Sequence, residues 1–146
     1  MSKISLVALV IALLVLPGGE VLADDLTGAS RLLCAAVQAT RCTEGGECAA
    51  DVPWNLNVPE FIEFDLDAKR LSTTKASGQD RQTTIGHFSR QDGTIVLQGF
   101  EMGRAFSLVI TEATGRLAAA IAAEGRAVAV FGACTPMPAP AAPGGK

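Results

Sequence analysis

The chain contains one histidine, His87, whose imidazole could act as a general acid or base near neutral pH. Such a histidine needs an orienting partner and a nucleophile within reach. His87 stands just before Phe88 and an Asp92-Gly93 turn, inside a predicted strand, and no Gly-x-Ser-x-Gly motif accompanies it. The pattern favours a partly exposed structural histidine, although a Ser-His-Asp site is assembled in space and sequence spacing does not test it. We therefore predict no catalytic residue and no enzyme.

Three acidic residues, Glu63, Asp65 and Asp67, alternate along a predicted strand. Carboxylates at alternate positions share one face of a strand and could attract calcium. The spacing is too short for a calcium-binding loop, and the glycine and distal glutamate of such a loop are missing. We predict a solvated face instead, paired with basic residues of the next strand, namely Lys69, Arg70 or Lys75. No metal site and no cofactor are predicted.

Four cysteines could form disulfides or a zinc site: Cys34, Cys42, Cys48 and Cys134. Zinc sites usually draw two ligands from a close Cys-x₂₋₄-Cys pair, whereas the gaps here are seven, five and 85 residues. An even count is typical of disulfides in an exported protein. Of three possible pairings we favour Cys42–Cys48, joined across a Gly45-Gly46 turn, with Cys34–Cys134 tying the N-terminal segment to the last strand.

Composition argues against several classes of ligand. Basic residues are scattered and only Lys69-Arg70 are adjacent, so the basic stripe of a nucleic-acid-binding protein is missing. The glycines form no phosphate-binding pattern. With no tyrosine and a single tryptophan, Trp54, the chain has few aromatic platforms for sugars or bases. Trp54, flanked by Pro53 and asparagines, is our candidate for a ligand contact or a lid, with core packing as the alternative.

The N terminus predicts export. Lys3 precedes an apolar run of about 13 residues, Ile4 to Leu16, followed by Pro17-Gly18-Gly19 and a small-residue site at Val21-Leu22-Ala23. This order is typical of a cleaved secretory signal peptide, and the run is shorter than the roughly 20 residues of a membrane-spanning helix. We predict a signal peptide over residues 1–23, a mature chain from Asp24, and no later segment that crosses a membrane.

The mature chain has a length that suits one domain, over residues 24–135. Helical spacing of apolar residues predicts a short helix over Asp24 to about Ala36. From Pro59 onward, Phe61 to Asp67 alternates as a strand, and turns recur about every ten residues, with Asp92-Gly93 as a strong hairpin signal. Leu117 to Ala123 is alanine-rich and could be helical, but its close flanking turns favour a strand.

These patterns predict a mainly β fold: a short N-terminal helix and an antiparallel meander that forms a small barrel or half-barrel, with two disulfides. The last residues, 136–146, are proline, alanine and glycine and are predicted to form a disordered tail.

Three stretches together resemble small, uncharacterised exported proteins of Gram-negative bacteria. They are Trp54–Leu66 (WNLNVPEFIEFDL), Leu97–Ile110 (LQGFEMGRAFSLVI) and Phe131–Pro136 (FGACTP). The resemblance implies a periplasmic or secreted protein and brings no site residues with it.

The leading hypothesis is a non-enzymatic periplasmic protein that binds a small apolar ligand through a sheet face or a barrel mouth, since barrels of this size can hold one small ligand. The alternative is a protein-interaction module or inhibitor in the cell envelope. A small hydrolase that uses His87 is the third. The expected partner is a small molecule or an envelope protein, not a nucleic acid.

Export and oxidation are checked together by the intact mass of the protein recovered from its host. We expect a chain that begins at Asp24 and is four hydrogens lighter than its reduced form. A chain that retains residues 1–23, or that carries four free thiols, would contradict the predicted signal peptide and disulfides.

Overall fold

The structure, a computed structural model, describes residues 24–138. The predicted signal peptide (1–23) and most of the predicted tail (139–146) lie outside the described residues. Nine strands and two short 3₁₀ turns follow one another along the chain. In order they are β1 (Arg31–Thr43), β2 (Cys48–Asp51), a 3₁₀ turn (Pro53–Leu56), β3 (Phe61–Asp65), β4 (Arg70–Thr73), a second 3₁₀ turn (Lys75–Ser77), β5 (Gln82–Gln91), β6 (Thr94–Glu101), β7 (Arg104–Thr111), β8 (Arg116–Ala123) and β9 (Arg126–Pro136).

Eight of these strands form a closed antiparallel barrel. Strands β3 to β9 pair as a meander, and β1 joins its two edges by pairing with both β3 and β9. The β1–β9 ladder is long, running from Leu32–Pro136 to Thr43–Arg126. The ninth strand, β2, extends the upper part of β1 through the predicted hairpin. Closure leaves the eight barrel strands without a free edge, and among the described strands only the short β2 has one. The predicted mainly β architecture is confirmed, in its closed form.

The helix predicted over Asp24 to about Ala36 is wrong. Residues 24–30 contain a turn, and Arg31 already begins β1. In β1 the positions of Leu32, Cys34 and Ala36 are buried, so the segment alternates as a strand before a bulge between Ala36 and Gln38 shifts the register. Tertiary pairing with two neighbouring strands overrides the local helical spacing.

The other predicted elements are found. The Asp92-Gly93 hairpin joins β5 and β6, and both turn residues have positive φ, 52° and 70°, as a two-residue hairpin turn requires. The alanine-rich segment forms β8, as favoured. In β3, Phe64 is buried while Glu63 and Asp65 are only partly exposed. Pro136, predicted as the first residue of the tail, is the last residue of β9 and still pairs with β1.

Both predicted disulfides are present, Cys34–Cys134 and Cys42–Cys48. Each joins residues that lie directly opposite on paired strands, β1 with β9 and β1 with β2. Such a pair of bonds is typical of a protein that folds in an oxidising compartment. Among residues 24–138 no helix has the length and apolar character needed to cross a membrane.

One end of the barrel is plugged by the N-terminal segment. We call this the lower end; it contains Arg31 and the Asp92-Gly93 turn. Leu26 is fully buried there, and its N–H donates to the carbonyl of Glu112 at 2.9 Å. Arg90 binds the Glu112 carboxylate at 2.7 Å and donates to the carbonyls of Leu26 and Ala29. The lower end is therefore filled by the Leu26 side chain, and hydrogen bonds from Arg90 and to Glu112 hold the backbone of its segment in place.

The two disulfides are expected to differ in their effect on stability. Cys34–Cys134 closes a loop of 100 residues and Cys42–Cys48 one of six. In the chain-entropy model these loops are worth about 4–5 and roughly 2–2.5 kcal/mol respectively. Paired replacement by alanine, followed by urea unfolding, should therefore lower the free energy of unfolding more for Cys34/Cys134 than for Cys42/Cys48. Equal losses, or the reverse order, would contradict the prediction that Cys34–Cys134 contributes more to stability than Cys42–Cys48.

Candidate ligand-binding site

A cavity of about 100 Å³ lies in the upper half of the barrel, away from Leu26. It separates the two hydrophobic clusters of the core. Below it are larger residues that include Phe64, Leu108 and Leu117, and above it are smaller ones that include Val58 and Val130. Most of its lining is apolar. A partly open, mostly apolar space with a few polar groups at one side is the usual form of a small-molecule site.

The cavity exists because inward-facing positions in the upper half carry small side chains. Ala36 on β1 and Ala119 on β8 line it, where Leu32 and Leu117 fill the equivalent space lower down the same strands. Thr83 on β5 adds another short side chain. An eight-stranded barrel is just wide enough to be filled by side chains, so a run of small ones leaves room.

Gly99 on β6 contributes to the shape of the cavity through its neighbour. It lies directly opposite Phe106 on β7. A Cβ at position 99 would collide with the Phe106 ring and approach the carbonyl oxygen of Thr84 at 3.1 Å. The missing side chain therefore lets the phenyl ring lie flat across β6, where it forms one wall of the cavity.

Three charged residues at the upper end form a network that we call the mouth network: Arg81, Glu101 and Arg104. Arg81 binds the Glu101 carboxylate with two nitrogens, Nε to Oε1 at 3.3 Å and Nη2 to Oε2 at 2.8 Å. Arg104 approaches the same carboxylate less closely, with Nη2 3.6 Å from Oε2. All three residues line the cavity. Two guanidinium groups thus share one carboxylate, which leaves the network with one net positive charge.

The loop after β2 covers the upper end and binds the mouth network through its carbonyls. Arg104 donates to the carbonyl oxygens of Leu56 and Asn57, each at 3.2 Å. Asn57 ends the 3₁₀ turn with a left-handed backbone, φ 57°. The amide of Asn55 and the N–H of Val52 both donate to Asp51, and these bonds hold the Asp51 pKa below its usual value. The carboxylate of Asp51 therefore fixes the start of the loop that supplies Asn57.

A second cleft, of about 160 Å³, adjoins the cavity at the upper end. Its basic lining residues are Arg41, Arg104 and Arg126, and no acidic residue lines it. We call it the arginine cleft. Arg41 and Arg126 stand at inward-facing positions where β1 ends and β9 begins, in register with Val128 and Thr43. Both guanidinium groups therefore reach the rim of the barrel.

The residues singled out in the sequence lie away from this cavity. Trp54 is in the covering loop, but its side chain is 57% exposed and does not line the cavity, whereas Asn57 and Val58 do. Its role as a ligand contact or lid stays a prediction. His87 is exposed on β5, next to a bulge between Ile85 and His87.

The acidic residues Glu63 and Asp65 make local contacts. Glu63 forms an ion pair with Arg31 at 3.7 Å. An oxygen of the Asp65 carboxylate accepts a hydrogen bond from the N–H of Ala68 in the following turn, and Asp65 lies opposite Arg70 in the β3–β4 ladder. Among residues 24–138, no three side chains of the metal-binding types come together as a possible metal site.

The outside of the barrel carries an apolar surface that we call the outer face. It consists of outward residues on β7, β8, β9 and β1. Three rows of directly paired residues cross it, namely Val109–Ala118–Phe131–Gln38, Ser107–Ala120–Ala129–Thr40 and Ala105–Ala122–Ala127–Cys42. None of these residues is charged. Phe131 is 51% exposed, and Val37, extruded by the bulge in β1, is 69% exposed.

Sequence reasoning missed the arginines of the upper end because it treated them as scattered surface charges. Strand parity offers a signal that could have found Arg104. Counting back from the apolar residues Ile110, Leu108 and Phe106 in steps of two places Arg104 on the inward side. Arg41 has no such signal, since the bulge in β1 reverses its parity.

Comparison of the chain with models of known protein families finds no match, and comparison with curated proteins finds none either.

Proposed function

We propose that the protein is a non-enzymatic periplasmic binding protein that takes a small apolar ligand into the upper half of its barrel. The observation that supports this function best is the apolar cavity between the two hydrophobic clusters. Protein interiors are normally packed as densely as organic crystals. An unfilled volume inside so small a domain lowers its stability. Ligand binding is a function that would account for keeping such a volume.

The volume of the cavity limits the size of the ligand. An engineered cavity of about 150 Å³ in another protein holds benzene, so about 100 Å³ accommodates an apolar group of roughly four carbons. The charged residues of the mouth network, Arg81, Glu101 and Arg104, line one side of the same cavity. We therefore expect a bound molecule to direct its polar side toward them.

The periplasmic setting rests on the predicted signal peptide and on the two disulfides. Bacterial periplasm is an oxidising compartment in which such bonds persist. A soluble carrier or sensor of small apolar molecules in that compartment is consistent with the closed barrel.

Filling the cavity should remove binding and raise stability. In Ala119→Leu the added atoms occupy space that is empty in the native protein, and we expect the free energy of unfolding to rise by about 1–2 kcal/mol. The same variant should bind benzene-sized or smaller apolar compounds at least about tenfold more weakly than wild type, a change of roughly 1.4 kcal/mol. NMR chemical-shift titration measures these affinities.

The matched control is Ala118→Leu, one residue away on β8 but facing outward. It should leave both binding and the chemical shifts of the barrel interior unchanged. If wild-type protein binds no small apolar compound, or if both variants bind as tightly as wild type, the proposed cavity function is wrong.

The outer face supports a second candidate function, a protein-interaction module in the cell envelope. Its three uncharged rows extend over four adjacent strands, and Phe131 and Val37 add exposed apolar area. Large uncharged apolar surfaces on small soluble proteins usually mark contacts with other proteins. Small alanine side chains also allow a partner to approach the sheet closely.

A charge introduced in the middle row tests this candidate. Ala120→Glu should abolish a cross-linked complex formed in the native compartment, because the carboxylate would be buried without a partner in the interface. Gln98→Glu is the matched control: it lies on β6 opposite Ser107, which pairs with Ala120. The complex should survive in this control. Loss of the complex in both variants, or in neither, would exclude the outer face as the interface.

A further inference from the structure

The cavity and the arginine cleft are neighbouring spaces with a common wall. Asn57, Arg104 and Ile121 line both of them. One side of this wall is the apolar interior of the barrel and the other is a rim with three arginines. A single molecule that extends from the cavity into the cleft would therefore place one end among apolar side chains and the other among guanidinium groups.

The charges of the upper end are incompletely neutralised. Within residues 24–138, ion pairs with carboxylates involve Arg31, Arg81, Arg90 and Arg104, but not Arg41 or Arg126. The charge of Arg41 contributes, after the hydrogen bonds from Asn55 and Val52, to the lowered pKa of Asp51, but the two side chains form no ion pair. Arg104 is only 9% exposed, and its nearest carboxylate, on Glu101, is held more tightly by Arg81. The remaining partners of Arg104 are the neutral carbonyls of Leu56 and Asn57.

A buried guanidinium group that lacks a full counter-charge carries a desolvation cost, which an anion at the same place would offset. Arg side chains are also well suited to this task, because their planar donors match the oxygens of carboxylate and phosphate groups. The opposite end of the barrel shows the contrast. There Arg90 has its own carboxylate, on Glu112, at 2.7 Å, and the adjoining space is occupied by Leu26.

We propose that the ligand of this site is a small amphiphilic anion. Its apolar tail, of roughly four carbons, lies in the barrel cavity, and its carboxylate or phosphate head group lies in the arginine cleft against Arg104, Arg41 and Arg126. The inference rests on the proposed function, since it assigns the class of ligand that the apolar cavity takes. It adds that the protein selects by charge as well as by size.

Ligands with the same tail and different head groups test this selection. Pentanoate, 1-pentanol and pentylamine are titrated into the mature, oxidised protein at low salt, with NMR chemical shifts as the readout. We expect pentanoate to bind about tenfold or more tightly than pentanol, because hydrogen bonds to charged groups are stronger than neutral ones. Pentylamine should bind most weakly. A fourth ligand, butyl phosphate, distinguishes the two head groups, and binding of either anion in preference to pentanol supports the proposal.

Variants separate charge selection from a merely structural role of the arginines. Arg104→Gln should abolish the preference for the anion, but it also removes contacts to the covering loop. The double variant Arg41→Gln/Arg126→Gln keeps those contacts and should reduce the ratio of pentanoate to pentanol affinity about tenfold, with pentanol affinity unchanged. Arg116→Gln, an exposed arginine at the lower end of β8, is the control and should leave the ratio as in wild type. An arginine that only stabilises the fold would weaken both ligands equally.

The outcomes of the two proposals are distinct. If all three ligands bind with similar affinity, the apolar cavity function stands and the anion selection is wrong. If none of the ligands binds, and Ala119→Leu changes only stability, the proposed function fails and the inference fails with it. If the double variant and Arg116→Gln change the ratio equally, the effect comes from net charge, and the arginine cleft is not the head-group site.

Discussion

The antiparallel pairing of β1 with β9 is the constraint on which the rest of the structure depends, because it converts an open meander into a barrel. It joins strands that are about 100 residues apart in the chain, so the entropy cost of bringing them together is large. Cys34–Cys134 lies within this ladder. The bond lowers the conformational entropy of the unfolded chain, so less entropy is lost when the two strands pair. Gly132 serves the same ladder sterically, since a Cβ there would collide with the carbonyl oxygen of Ala35.

The same ladder also shapes the upper end. Beside Gly132 the register shifts by one residue, and the bulge between Ala36 and Gln38 turns Val37 outward. A bulge reverses which residues of a strand face the interior. Beyond it, Ala39 becomes buried and Arg41 is directed to the inner rim. One irregularity in one strand thus places the small residue Ala39 in the upper hydrophobic cluster, an apolar residue on the outer face and a cation at the rim.

Much of the fold could be predicted from the sequence, since hairpin turns and alternation are local signals. The Asp92-Gly93 turn and the strand predicted over Phe61 to Asp67, which ends at Asp65 in the structure, required no knowledge of distant residues. The disulfide pairing followed from the turn at Gly45-Gly46 and from the number of cysteines. The start of β1 could not be found in this way, because Arg31 to Ala36 becomes a strand through partners 30 and 100 residues away. The site was missed for a related reason: Arg41, Arg104 and Arg126 come together only when the barrel closes, and the bulge hides the parity of the first.

A comparison of the two ends of the barrel indicates that folding does not require the cavity in the upper half. Each end of β7 carries an inward charge in an arginine–glutamate pair, Arg90–Glu112 below and Arg104–Glu101 above. Below, Leu26 fills the interior behind the pair, and Arg90 is neutralised at close range. Above, alanines replace the leucines, and the single carboxylate is shared by two arginines. The lower end shows that this fold can close such an opening with its own residues. An upper end that is apolar within and positive at the rim is consistent with the binding of a small amphiphilic anion that we propose.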